Sequence, residues 1–171
     1  KVYEEPRIYD NWLTSQALCF NLCGELQRDL RLASKAVGSL LREPSLEVTA
    51  IDFEYSPGRS DSRFTADKTA FDVFVVYTSG AARGFLGIEV KYAEKLSEDP
   101  ARHRERYEEL AETMGCFIPE RLPQLRRQPL EQFWRNHLLA GSLVHDQASG
   151  FNEGRFVLVY PNRNVIVGGA G

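Results

Sequence analysis

Few features of this chain narrow its class at once, and what is scarce already excludes several. It has only three cysteines in 171 residues, Cys19, Cys23 and Cys116, which cannot all pair with one another. A disulfide framework is therefore not expected, and a reducing compartment is. No apolar run approaches the ~20 residues that a bilayer-spanning helix needs. Charge of either sign is not in excess: 21 Lys and Arg against 24 Asp and Glu leave a formal net charge of −3. A surface that coats nucleic acid all over is excluded by that balance, whereas a local basic groove is not. Histidine is scarce as well, at three, and no triad or zinc set assembles around His137 or His145. They are expected to pack near Trp134 or to lie in solvent. Cys19 and Cys23, four apart on a helix, find no further His or Cys to complete a metal site and read as small core residues.

What is present is one globular domain spanning residues 1–171. At 43% hydrophobic and 11% aromatic content, the chain can build a core without staples. Truncation or processing at either end is left open by a sequence that begins at Lys1. The lack of a signal-peptide pattern leads to the expectation of a cytoplasmic protein. Apolar positions at three- and four-residue spacing predict an amphipathic helix from about Ser15 to Ala36. Alternation and β-branched or aromatic residues predict strands at Leu46 to Tyr55, Phe71 to Tyr77, Phe85 to Tyr92 and Arg155 to Tyr160, with a fifth at Val165 to Val167. Ser56 to Ala70 reads as a long polar loop that either closes over a substrate or is an insertion. A charged helix is expected from Pro100 to about Met114, its Arg102 to Arg106 stretch reading as a solvated face with i,i+4 pairs ahead of a DNA-binding strip. A further helix follows a proline-rich linker, from Leu130 to about Gln147. The order α-β-β-β-α-α-β predicts an α/β fold, a mixed sheet of four or five strands flanked by helices.

The chemistry lies in polar residues placed inside apolar strands. Asp72 stands among Phe71, Val73, Phe74, Val75 and Val76; Glu89 and Lys91 stand among Phe85, Leu86, Ile88 and Val90. Carboxylates in such surroundings are costly unless paired or bound to a cation. A hairpin of the second and third strands brings Asp72 close to Glu89, and an antiparallel first strand brings the end bearing Glu54 within reach. Convergent carboxylates hold a hard divalent cation, and a lysine beside them positions a water or stabilises charge growing on phosphorus. Only 5 of the 21 basic residues are lysine, so Lys91 in a strand is not easily surface filler. The competing reading is a salt bridge at a sheet edge, with Glu54 a strand-end acid in water. Gln132, Arg135 and Asn136 share a helix turn that could touch phosphate, brace the site, or form an ordinary helix surface. The Gly168-Gly169 tail is no phosphate loop, because no Lys-Ser/Thr follows.

Asp72 and, after a gap of sixteen residues, Glu89-Val90-Lys91 resemble the Asp…Glu-x-Lys signature of the restriction-endonuclease-like, PD-(D/E)xK nuclease superfamily. Its core is a helix, three antiparallel strands, a helix and a further strand. The segments Ser15-Gln16-Ala17-Leu18-Cys19-Phe20-Asn21-Leu22, Phe71-Asp72-Val73-Phe74 and Gln132-Phe133-Trp134-Arg135-Asn136-His137-Leu138 look like a bacterial group assigned as restriction endonucleases within it. The resemblance covers most of the chain. It implies Mg²⁺-dependent hydrolysis of phosphodiesters, with Mn²⁺ able to substitute: Asp72, Glu89 and the carbonyl of Val90 as metal ligands, and Lys91 orienting the attacking water. It also implies a nucleic-acid partner, DNA first and RNA left open, with contacts from Gln16, Asn21, Gln132, Arg135 and Asn136. A homodimer would suit double-strand cutting. The proline that precedes the family's first acid is absent, Phe71 standing there. An acid from the first helix would be Glu25, although Gln16 and Asn21 lie nearer the matched motif, so that assignment stays open. The alternative is a non-catalytic module on the same fold that binds nucleic acid or protein.

Overall fold

The computed structural model describes residues 15–91 and 103–161. The expected single first helix is two: α1 (Ser15–Arg28) and α2 (Leu30–Leu41). Asp29 divides them. Its backbone is extended, at φ −123° and ψ 90°, and its carboxylate accepts hydrogen bonds from the Arg31 and Leu32 amides, each 3.0 Å long. Such a cap is worth ~1 kcal/mol, and here it starts a new helix inside an unbroken apolar periodicity. α2 then runs past the expected end at Ala36 and stops at a left-handed Arg42, just before Pro44.

Four strands form one sheet in the order β1 (Glu47–Tyr55), β2 (Phe71–Ser79), β3 (Ala82–Val90) and β4 (Glu153–Val159). β1–β2 and β2–β3 pair antiparallel, and β4 joins β3 in parallel, making the sheet mixed. The near-continuous apolar run of β2 follows from burial on both faces. Val73, Val75 and Tyr77 pack under α1 and α2 with Cys19, Cys23, Ala33 and Val37. Phe74 and Val76 pack on the opposite side with Phe85, Leu139 and Leu143.

The crossover from β3 to β4 carries α3 (Glu105–Met114), a short α4 (Leu122–Leu125) and α5 (Glu131–His145). α3 starts later than expected, because Arg104 is still extended at φ −128°. The proposed start at Pro100 lies outside the described residues, as does the expected fifth strand at Val165 to Val167. α4 sits in what reads as a bare linker. Tyr107, Leu110, Trp134 and Leu138 join α3 to α5 in a third apolar cluster. The histidine stacked on Trp134 is His103, at 6.3 Å between centroids, and not His137, which lies between Phe117 and Phe156. His137 is exposed, in line with the solvent-facing alternative, and the partial burial of its ring lowers its pKa. No helix among the described residues is long and apolar enough to cross a membrane.

Candidate active site

The hairpin register sets the geometry. Val73 pairs with Ile88, so one step further Asp72 stands beside Glu89 at the open end of the hairpin. The Val90 amide donates to Asp72 Oδ2 at 2.7 Å, which ties the carboxylate to the peptide between Glu89 and Lys91. Alternation puts Glu89 and Lys91 on the α5 face, and Lys91 Nζ lies 2.9 Å from Glu89 Oε1. Lys91 falls just past β3, yet its amide still donates to the Val159 carbonyl of β4 at 2.9 Å. Glu89 is 3% exposed and Lys91 9%, so this pair is buried and not a solvent-facing edge contact. Gly87 makes room beside it, since a Cβ there would meet the Phe71 ring at 2.5 Å.

Burial is the main reason that the Asp72 carboxyl is pushed up to about 8, followed by the neighbouring Glu89 charge; the Val90 amide pulls down, Glu54 adds to the rise, and Lys91 opposes it. Glu54, at the left-handed φ of 52° near the end of β1, is thus felt electrostatically at Asp72. From α1 Cys19 reaches Asp72, its thiol 3.7 Å from the Asp72 carbonyl oxygen. Burial and the Asp72 charge raise the Cys19 pKa, and burial pushes that of Cys23 up to about 11, so both thiols stay protonated core groups. Glu25 turns away: its side chain is 78% exposed and pairs with Arg28. Asn21 lines a shallow cleft with Phe20, Gly24 and Phe53, and Gln16 lies two turns before Cys23 on α1.

The α5 turn divides into two jobs. Gln132 Nε2 donates to Glu89 Oε1 at 2.7 Å, and the buried Asn136 donates from Nδ2 to Glu89 Oε2 at 2.8 Å. Arg135 instead faces the 56–70 loop. Its Nε is 2.6 Å from Glu131 Oε1, and its Nη1 is 3.3 Å from both Asp67 Oδ2 and Thr69 Oγ1. Asp67 also accepts from Thr65 Oγ1, the Thr69 amide, Thr69 Oγ1 and Tyr107 OH, at 2.6 to 2.8 Å. Burial opposes its charge, but the bonds from Tyr107, Thr65 and Thr69 outweigh that and hold its carboxyl below the usual range. Arg106 completes the attachment through the Phe64 and Arg63 carbonyls. Sequence reasoning missed this anchorage, although Thr65-x-Asp67-x-Thr69 is a pattern in which short polar side chains bond local backbone.

Among the described residues no group of three or more His, Cys, Asp or Glu side chains is arranged to hold a metal ion. Asp72, Glu89 and the Val90 carbonyl offer two carboxylates and a backbone oxygen at the end of the hairpin. Among the described residues Asp72 Oδ1 accepts no hydrogen bond and Glu89 Oε2 accepts one, and the Val90 carbonyl lies in the peptide that joins Val90 to Lys91. Hard oxygen donors in a buried, mutually repelling pair suit a hard divalent cation, whose charge relieves the repulsion.

No curated protein and no solved structure matches the chain. A family model described as the PD-(D/E)XK nuclease superfamily matches residues 1–171. The mixed four-stranded sheet with flanking helices is consistent with that fold, and the chain belongs to the PD-(D/E)XK nuclease superfamily.

Proposed function

We propose that this chain is a metal-dependent endonuclease that hydrolyses phosphodiester bonds of DNA. The observation that carries the reading is the buried Lys91 ammonium 2.9 Å from Glu89, with Asp72 beside them on the adjacent strand. Asp72, Glu89 and the Val90 carbonyl would hold Mg²⁺, with Mn²⁺ a substitute, and the ion would supply Lewis-acid charge to the phosphate when bound. Lys91 orients the attacking water and balances the negative charge that develops on the phosphate oxygens. Glu54 adds negative potential at Asp72 and so favours the cation. Gln16 and Asn21 are proposed to contact the nucleic-acid backbone. Gln132, Arg135 and Asn136, whose bonds run to Glu89 and to the 56–70 loop, brace the site. Two copies of the chain would serve a double-strand cut.

The test is a gel: supercoiled plasmid, single-stranded DNA and RNA incubated with the protein in Mg²⁺, Mn²⁺ or EDTA, with Lys91→Ala alongside. DNA cut by the wild type in either metal, and neither in EDTA nor by the variant, is the expected result. Cutting of RNA alone would replace the substrate class. Failure on all three substrates would favour the non-catalytic module.

A further inference from the structure

We infer that Gln132 and Asn136 are positioning residues that limit Glu89 to a single available oxygen, Oε2, and so make the site select a small octahedral cation over Ca²⁺. The inference rests on the reading of Asp72 and Glu89 as metal ligands.

An ionised carboxylate only accepts hydrogen bonds, and each of its oxygens offers two lone-pair directions. At Glu89 Oε1 both are used, by Gln132 Nε2 at 2.7 Å and Lys91 Nζ at 2.9 Å. At Oε2 the Asn136 amide takes one, at 2.8 Å, and among the described residues one is left open. With Glu89 3% and Asn136 2% exposed, water does not compete for the bond between those two. Because the acceptor is a carboxylate, both amides must present their NH₂ ends to it, which fixes their orientation. Their spacing of four residues sets them one turn apart on one face of α5. That face is itself held, since Glu131 and Arg135 in the same turn are tied to each other and to Asp67.

A carboxylate clamped in this way is a monodentate ligand. Ca²⁺ takes about 6–8 oxygens in flexible geometry and gains from bidentate carboxylates, whereas Mg²⁺ demands near-octahedral geometry from single oxygens and keeps several waters. Groups that orient a metal's ligands typically change affinity by about 10–100-fold when removed. Losing the Gln132 bond frees Oε1 to join Oε2, which favours the larger ion.

The experiment is calorimetric titration of Mn²⁺ and, separately, Ca²⁺ into the whole chain, wild type and Gln132→Met. Methionine keeps the length of the side chain and removes the donor. Gln132→Ala, at a partly exposed helix position, serves as the second variant. The wild type is expected to bind Mn²⁺ in preference to Ca²⁺, and both variants to lose about tenfold or more of that preference. A purely packing role for Gln132 would leave the ratio of affinities unchanged in Gln132→Met, and that result overturns the inference while leaving the metal site standing. A wild type that binds neither ion overturns both.

Discussion

Replacing Asp72 by Asn should stabilise the metal-free protein, and the size of the effect follows from its surroundings. The carboxyl is moved from 3.8 to about 8, chiefly by burial and then by the charge of Glu89. A carboxyl raised in the folded state binds its proton more tightly there than in the unfolded chain. Its contribution to stability is therefore complete below pH 3.8 and is lost as pH rises toward 8. At pH 7 about 3 units of that interval have been crossed, which at 1.36 kcal/mol each is roughly 4 kcal/mol. Asn escapes this penalty, and its amide oxygen accepts from the Val90 amide as the neutral carboxyl does, a bond already counted in that shift. The net gain expected is up to roughly 4 kcal/mol at pH 7, shrinking toward zero near pH 4. Urea denaturation in EDTA between pH 5 and 8 measures it directly. A variant no more stable than wild type at pH 7, with the same slope against pH, would refute the buried, repelling pair.

Other perturbations have equally definite outcomes. If the proposed function holds, Lys91→Ala keeps metal affinity within a few-fold and lowers single-turnover cleavage by about 10²–10³, since its work would lie in the transition state; titration and quenched-flow cleavage read the two separately. Asp67→Ala strands Tyr107, Thr65, Thr69 and Arg135 together and should cost about 3–5 kcal/mol in denaturation, with the 56–70 loop becoming the first site of proteolysis. Tyr107→Phe, which removes one of those donors, should cost about 1–2 kcal/mol by the same measurement. Gly87→Ala drives a methyl into the Phe71 ring and should lower stability by about 1–3 kcal/mol, with a displaced Phe71 visible in aromatic NMR shifts.

The strands and the candidate site were legible because an acid or a lysine in a strand buried on both faces breaks its own pattern. Asp72, Glu89 and Lys91 each do so, and the hairpin register then brings the acids together. The division of the first helix was not legible. Leu30 and Ala33 continue the periodicity of α1, and only the hydrogen bonds to the Asp29 side chain end one helix and begin the next. The same holds on α5, where Gln132, Arg135 and Asn136 share a turn in sequence. What separates them is the element each meets: Glu89 of the sheet for the two amides, Asp67 of the loop for the guanidinium. The 56–70 loop read as closing lid or insertion because its anchors, Tyr107, Arg106 and Arg135, are 40 or more positions away in the chain.

The most direct test of the central claim is a titration of Mn²⁺, followed by its electron paramagnetic resonance signal, into wild type, Asp72→Asn and Lys91→Ala. Wild type and Lys91→Ala are expected to bind, and Asp72→Asn to lose binding although that variant folds more stably. Binding of Mn²⁺ to Asp72→Asn as tightly as to wild type would contradict it.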